Sequence, residues 1–158
     1  MIPALRIRPM TTADLDRVLA IATSLANAPQ WPQTVYAAAL DPQSRPKRLC
    51  LAATVANSAP AGFLIASLVP PQAEIESIAV AQEFHRQGIA RALLSAAIAE
   101  LRQRQAVDVF LEVRASNHAA RALYRSAGFV ESGHRTAYYS HPQEDAILLV
   151  RTLAVGAS

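Results

Sequence analysis

Residues 74–101 constrain the fold more than any other part of this 158-residue sequence. Glu74–Val80 is predicted to be a strand, and a short connection leads from it to a tight turn at Gly88. After that turn, apolar residues recur three and four positions apart, which predicts a long helix with one face packed on a sheet. The apolar positions of this helix are Ala90, Leu93, Leu94, Ala97, Ile98 and Leu101.

The turn from His85 to Ala90 has the features of an anion-binding site. Gly88 and Ala90 let the backbone approach a ligand closely, and the first N–H groups of a helix have no partner within the helix. These donors and the helix dipole favour negative charge, best of all a pyrophosphate, while Arg86 and Arg91 add positive charge. The turn is neither a P-loop nor a three-glycine dinucleotide fingerprint, and an ordinary glycine-containing helix entry explains it equally well.

Length and composition predict a single domain over residues 1–158, with the cytoplasm as its expected location. The hydrophobic fraction of 52% suffices for a core, and a net charge of +3 is too small a bias to indicate a nucleic-acid partner. The sequence shows no apolar signal-peptide core and no spanning segment, so membrane binding is not expected either. Cys50 is the only cysteine, and its position in an apolar strand predicts a buried, inert thiol.

The remaining elements predict a mixed fold in which antiparallel strands precede a strand-helix-strand crossover. Val107–Val113 is a nearly continuous apolar run, which predicts a strand covered on both faces. Gly133–Gln143 is either a loop or a paired extension of the sheet. The other predicted strands are Leu5–Arg8, Arg48–Ala56, Gly62–Val69, Phe129–Glu131 and Ala146–Leu153; the other predicted helices run from Thr11 or Thr12 through Leu25 to a stop at Pro29, over Trp31–Leu40, and over Asn117–Ala127 with Gly128 as C-terminal cap.

Three polar side chains near the last helix are candidates for function. Glu112 interrupts the apolar strand, where a carboxylate is either functional or the ion-pair partner of Arg114 or Arg121. Asn117 and Tyr124 share one face of the helix that follows. The common structural role of an asparagine at such a position is a helix cap, and that of a tyrosine is a core aromatic.

The chain also contains three motifs in order: IAVAQEFHRQGIARALL, LEVRASNHAARALYRSAGF and YYSHPQEDAILL. Together they resemble the GCN5-related N-acetyltransferase (GNAT) superfamily, and within it the RimI family of ribosomal-protein-alanine N-acetyltransferases. The order of predicted elements follows that family over essentially the whole chain. The resemblance implies the GNAT fold, a mostly antiparallel mixed sheet flanked by helices, in which the central strands Glu74–Val80 and Val107–Val113 splay apart to hold acetyl-CoA.

The resemblance also implies site residues. In the family, the backbone of Ile78–Val80 pairs with the pantetheine arm and the turn Arg86–Arg91 holds the pyrophosphate. Glu112 matches the general base and Tyr124 the general acid, roles that a carboxylate and a phenol can serve in transferring acetyl to an amine. The implied cofactor-binding residues are Ile78, Ala79, Val80, Arg86, Gln87, Gly88, Ile89, Ala90, Arg91, Asn117 and Tyr124.

The implied acceptor is the N-terminal α-amine of a protein, with a small first residue such as alanine and a ribosomal protein as the expected target. A small amine or a lysine side chain as acceptor, and a CoA-binding regulatory module without turnover, stay open as alternatives. No histidine has metal-ligand neighbours at a useful spacing, so no metal is expected. The candidate substrate-binding residues are Trp31, Glu76, Tyr138 and Tyr139, and Glu74 would add negative charge for an amine.

His85 departs from the family pattern, in which glutamine or arginine begins the pyrophosphate turn. A histidine offers fewer hydrogen-bond donors than either residue. Backbone N–H groups are therefore expected to donate most of the hydrogen bonds to the pyrophosphate, so histidine in place of glutamine or arginine should change the affinity only modestly.

Overall fold

Seven strands form one sheet in the part of the chain that the computed structural model describes, residues 4–25 and 28–153. The strands are β1 (Leu5–Pro9), β2 (Lys47–Val55), β3 (Gly62–Val69), β4 (Gln72–Val80), β5 (Asp108–Arg114), β6 (Val130–Tyr139) and β7 (Glu144–Thr152); the helices are α1 (Leu15–Ser24), α2 (Gln33–Leu40), α3 (Ile89–Gln103) and α4 (His118–Ser126), with 3₁₀ turns at Thr12–Asp14 and Gln82–Phe84. The strand order is β1-β2-β3-β4-β5-β7-β6, and each neighbouring pair is antiparallel except β4 and β5. The predicted fold class is confirmed.

Helices cover both faces of the sheet, and each face has its own core. On one face, α3 packs through its predicted apolar stripe, and Tyr124 and Phe129 join the same core. On the other face, α1 and α2 pack on β2, β3 and the end of β4, with Tyr36 and Phe63 fully buried between them. Cys50 lies in this second core, where burial raises the pKa of its thiol to about 11, so the prediction of a buried thiol is confirmed.

The parallel strands β4 and β5 pair at one end only. Their register joins three residues of each strand and ends at the pair Glu74 and Phe110; no later pairing between them occurs within the described residues. The strands therefore separate beyond Glu74, and the predicted gap opens between them. A β-bulge at Glu76 also changes the faces of β4, because Ile75 before it and Val80 after it both point into the α3 core.

The structure corrects the prediction that the Val107–Val113 strand is covered on both faces. Burial in β5 alternates, with Val109, Leu111 and Val113 buried and the residues between them only half-buried. The reason is that the core under α1 and α2 contains no residue of β5. One face of β5 is therefore free of helices on the side where the gap opens.

Several predicted boundaries are also wrong. The first helix ends at Ser24, because Leu25 has extended backbone; the predicted stop at Pro29 lies beyond residues 26 and 27, which are outside the described residues. The second helix begins at Gln33, after Trp31 and Pro32. β6 continues to Tyr139 and pairs with β7, so the paired-extension alternative is correct. No helix among the described residues is long and apolar enough to span a membrane.

A buried ion pair fixes β1 to the start of α1. The guanidinium of Arg8 donates two hydrogen bonds, of 2.7 and 2.8 Å, to the carboxylate of Asp14, and the Thr11 N–H donates a third, of 2.8 Å. These bonds, led by those from Arg8, lower the pKa of Asp14 even though burial opposes the shift. The carboxylate thus stabilises the fold in its ionised form.

We expect Asp14→Asn to lower the free energy of unfolding at pH 7 by about 1–3 kcal/mol, the range for hydrogen bonds to charged groups. Because the pKa of Asp14 is lower in the folded than in the unfolded chain, its stabilisation is present above about pH 4, the ordinary carboxyl pKa, and is lost as pH falls through the folded value. Urea unfolding at pH 7 and pH 3 measures both. The exposed Asp16→Asn is the control, and a deficit that stays constant between the two pH values would contradict the assignment.

Candidate active site

The turn before α3 has the backbone geometry of an anion cradle. Arg86 and Gly88 have positive φ angles of 63° and 81°, and they flank Gln87, which is not among the residues with positive φ. Such alternation turns successive N–H groups towards one side. The first backbone bond within α3 joins the Ala92 N–H to the Gly88 carbonyl at 3.0 Å, so the N–H groups of residues 89–91 precede the helical ladder. A Cβ on Gly88 would meet no atom within 4 Å. This cradle fits a pyrophosphate.

Two side chains predicted beside the cradle point elsewhere. The Nε2 atom of His85 lies 2.7 Å from the Val80 carbonyl oxygen, at the end of β4. The guanidinium of Arg91 donates a 2.7 Å hydrogen bond to the Ser126 hydroxyl at the end of α4. The positive charge near the cradle therefore comes chiefly from Arg86, which is exposed, and from the helix dipole.

The edge of β4 that faces the gap carries free backbone groups. The Ala81 N–H donates to the Ala61 carbonyl across the ladder with β3, at 2.8 Å. Because antiparallel residues alternate in direction, Ala79 also points its backbone groups towards β3, while Ile78 and Val80 point theirs into the gap. Of the predicted stretch 78–80, the backbone groups that face the gap therefore belong to Ile78 and Val80, and the Val80 carbonyl among them already accepts a hydrogen bond from His85.

Glu112 lies on the helix-free face of β5, beside the gap. Its ion-pair partner is Arg135 on β6, whose guanidinium is 3.2 Å from the Glu112 carboxylate. Both predicted structural partners are wrong, since Arg114 pairs with Glu144 and Arg121 with Glu131. The Glu112 side chain is 28% exposed, so the carboxylate remains accessible from the gap.

Two tyrosines at the end of β6 surround this carboxylate. Hydrogen bonding to Glu112, together with the charge of Glu112, raises the pKa of Tyr138. Burial and then the charge of Glu112 raise the pKa of Tyr139 to about 12. The guanidinium of Arg135 stacks over the Tyr138 ring at 4.5 Å and that of Arg114 over the Tyr139 ring at 4.4 Å. The structure thus brings Glu112 and the predicted tyrosine pair together.

Tyr124 is 7% exposed and packs edge-on against Phe129, with ring centroids 6.0 Å apart. Burial raises the pKa of its phenol, and Tyr139 raises it further. Among the described residues, the hydroxyl has no hydrogen-bond partner. Besides burial, the charge of Glu112 thus raises the pKa of Tyr139, and Tyr139 in turn raises that of Tyr124; the joint action of Glu112 and Tyr124 as catalysts stays a prediction.

Asn117 and the remaining acceptor candidates have structural roles in this chain. The Asn117 side chain caps α4 by accepting a 3.2 Å hydrogen bond from the Ala120 N–H, and its contact with the cofactor stays a prediction. Glu76 forms an ion pair with Arg48 at 2.8 Å. Trp31 packs on the buried Tyr36, with ring centroids 5.1 Å apart. Within the described residues, no hydrogen bond, ion pair or aromatic pair joins Glu76 or Trp31 to Glu112, Tyr138 or Tyr139.

The carboxyl of Glu74 is more directly part of the site than that of Glu76. Its pKa is raised, first by burial and then by the charges of Glu76 and Glu112. Glu74 is the last residue of β4 that pairs with β5, and the gap begins beyond it.

No three His, Cys, Asp or Glu side chains in residues 4–25 and 28–153 are grouped closely enough to hold a metal ion.

Sequence reasoning missed Arg135, the cation that faces the predicted base. No local sequence pattern predicts this pair, because β7 lies between β6 and β5. Across the three strands, Arg135 is in register with Ala146 and Arg114, and Gly133 is in register with Leu148 and Glu112. Gly133 has no side chain above this row, so the long Arg135 side chain can reach diagonally towards Glu112. The pair becomes apparent only when the register of β5 with β7 and of β7 with β6 is known.

The splayed sheet, the anion cradle and an accessible carboxylate beside the gap fit an acyl-CoA-dependent N-acyltransferase. Residues 15–129 match the family model described as "Acetyltransferase (GNAT) family". The chain belongs to this family, whose members use acetyl-CoA, and it is an N-acetyltransferase.

One curated relative and two solved structures are similar to this chain. The [ribosomal protein bS18]-alanine N-acetyltransferase of Escherichia coli K12 is 43% identical over 101 residues, which are 63% of this chain and 68% of that protein. The crystal structure of the ribosomal-protein-S18-alanine N-acetyltransferase from Escherichia coli matches 98% of this chain and 97% of its own, at 34% identity and a TM-score of 0.83. The crystal structure of Ard1 from Thermoplasma volcanium matches 95% of this chain and 98% of its own, at 30% identity and a TM-score of 0.82.

We expect Gly88→Ala to weaken CoA binding by about tenfold or more, because a residue with a Cβ adopts the positive φ of 81° less readily than glycine and the turn then loses the backbone geometry of the cradle. Isothermal titration with CoA measures the change. Gly128→Ala is the matched control, since Gly128 also has a positive φ, of 94°, at the end of α4. Both variants should lose similar stability, and equal CoA affinity in the two would remove the turn from the site.

Proposed function

We propose that this chain, as one N-acetyltransferase domain, transfers the acetyl group of acetyl-CoA to the N-terminal α-amine of a protein, with alanine as the expected first residue. The observation that carries the proposal is the position of Glu112 on the helix-free face of β5, beside the gap, with its side chain 28% exposed. Tyr124, whose buried phenol packs against Phe129, would supply the hydrogen-bond donor.

Acetyl-CoA would be held by two regions of the chain. The outward backbone groups of Ile78 and Val80 suit the pantetheine amides, which can pair with a strand edge as a further strand would. The cradle of Arg86–Arg91 suits the pyrophosphate. An outward N–H of β4 is also suited to the oxyanion that develops during acyl transfer. Of the other predicted contacts, Asn117 would act from the cap of α4.

Glu112 would serve as the general base. A protein N-terminal ammonium has a pKa of about 7.7–8.0, so most of it is charged at neutral pH and its lone pair is unavailable. A carboxylate at the gap attracts the ammonium and removes its proton, directly or through a water molecule. Glu74 adds negative charge on the same side. Direct attack of the freed amine needs no acyl-enzyme, so no protein nucleophile is required.

Tyr124 would stabilise the leaving thiolate. The raised pKa of its phenol keeps it protonated at neutral pH, so the hydroxyl can donate. The pKa of an ordinary thiol is about 8.5, well below that of this phenol, so full proton transfer to the thiolate is uphill. A donated hydrogen bond in a buried site is the contribution that follows from these values.

The acceptor is inferred from the relatives and from the site together. The E. coli relatives named above are alanine N-acetyltransferases of ribosomal protein bS18, and a ribosomal protein is therefore the expected partner, met in the cytoplasm. The end of β6, with Tyr138 and Tyr139, and the segment with Trp31 would form the walls for the first residues of the peptide. The stretch around these tyrosines is the end of β6, which pairs with β7 at Tyr139 and Glu144. This wall would therefore be a strand end and not a free loop.

We expect Glu112→Gln to lower turnover by about 10² to 10⁴, the usual contribution of general acid–base catalysis. The deficit should shrink as pH rises above about 8, because the acceptor amine then loses its proton without help. Steady-state rates between pH 6.5 and pH 9.5, at saturating acetyl-CoA, measure both effects.

Two further variants separate the base from its surroundings. Glu131→Gln removes a carboxylate that pairs with Arg121 outside the gap, and its turnover should stay close to that of the unmodified enzyme. Tyr124→Phe should slow turnover without the alkaline recovery. An unchanged pH–rate profile in Glu112→Gln would leave the ion pair with Arg135 as the role of Glu112.

We expect a free N-terminus to be the preferred acceptor. The assay offers acetyl-CoA with an Ala-starting peptide, with the same peptide blocked at its N-terminus but containing lysine, and with a panel of small amines. The free peptide should have the highest kcat/KM, because its α-amine is flexible and the most readily deprotonated of the amines in the two peptides. Turnover confined to the blocked peptide or small amines would favour the rival enzymes, and CoA binding without any turnover would favour a regulatory module.

A further inference from the structure

One side chain joins the end of β4 to the start of the anion cradle. The Nε2 atom of His85 lies 2.7 Å from the carbonyl oxygen of Val80. A carbonyl can only accept, so Nε2 carries the hydrogen in this bond. That holds for the neutral ring and for the charged ring alike, so the contact does not depend on the charge of the histidine.

The carbonyl that accepts this bond is not part of the sheet ladder. Ala81 and Ala79 direct their backbone groups towards β3, so the Val80 carbonyl points into the gap between β4 and β5. The imidazole therefore ties the free edge of β4, where a pantetheine arm would pair, to the first residue of the turn that would hold a pyrophosphate.

The connection between these two regions is short, and most of it is exposed. Two backbone hydrogen bonds join residues within the connection 81–85: Phe84 N–H to the Ala81 carbonyl at 2.8 Å and His85 N–H to the Gln82 carbonyl at 3.1 Å. Each closes the 3₁₀ turn locally. The His85 ring adds a bond that spans the whole connection and so fixes the distance from the strand edge to the cradle.

We propose that His85 is a positioning residue that holds the β4 edge and the cradle in register, so that one CoA molecule can occupy both at once. The proposal rests on the proposed function and deepens it. When two subsites bind parts of one ligand, the affinity for the whole ligand depends on their being presented together, whereas the affinity for either part alone does not. A histidine that contacts the strand instead of the phosphates acts through this alignment.

The experiment titrates CoA and ADP into the unmodified protein and into His85→Ala and His85→Gln. ADP carries a pyrophosphate but no pantetheine arm, so it reports the cradle alone. We expect His85→Ala to weaken CoA binding by about three- to tenfold, the range of one neutral hydrogen bond, and to change ADP binding by less than about twofold. His85→Gln, which keeps a side-chain N–H donor, should recover most of the CoA affinity. The KM for acetyl-CoA should rise in His85→Ala with kcat nearly unchanged.

The matched control is His134→Ala, an exposed histidine on β6 at the far edge of the sheet, whose loss should leave CoA affinity unaltered. Equal CoA affinity in His85→Ala and the unmodified protein would overturn the proposal. Equal losses for CoA and ADP would overturn it too, because the ring would then act on the cradle itself. Absence of CoA binding in the unmodified protein would instead overturn the proposed function, and the alignment role with it.

Discussion

The separation of two parallel strands determines what the rest of the structure can do. Within residues 4–25 and 28–153, β4 and β5 share three register pairs, ending at Glu74 and Phe110. Beyond that point no described strand pairs with the outward edge of β4, where the Val80 carbonyl accepts from His85 instead. Unpaired strand edges are costly when buried and attract another strand when exposed. An extended ligand with amide groups would relieve this, so the break in the ladder is the place where we propose that the cofactor binds.

The bulge at Glu76 makes this arrangement compatible with two cores. Side chains of a regular strand alternate between its two faces, so without the extra residue Ile75 and Val80, five positions apart, would lie on opposite faces. With it, Val80 packs under α3 while Ala79 and Ala81 face the core of α1 and α2. The backbone at the end of β4 is thus held on both faces, and its free groups are fixed in direction.

Local patterns predicted most of the fold, since α3, Gly88 and the strand-helix-strand crossover each depend on residues close together in sequence. The position of Glu112 in β5 was also predictable, but its partner was not. Arg135 reaches it across β7, in a register that depends on hairpin pairing and on the irregular stretch of β6 between Glu131 and Gly133. Coverage of β5 was misjudged for a similar reason, because an apolar composition cannot tell which helices extend over a strand.

The Arg135 contact bears on how a cationic acceptor reaches the base. The Glu112 carboxylate already has a cation beside it, and the Arg135 side chain is 53% exposed. An ion pair this exposed contributes little stability, on the order of 0–1 kcal/mol, so the guanidinium can move to solvent at small cost. In the proposed reaction the acceptor ammonium replaces one positive charge with another. The charge beside Glu112 is then conserved during binding, and transfer of the proton from the ammonium to Glu112 neutralises both groups without changing the net charge of the site.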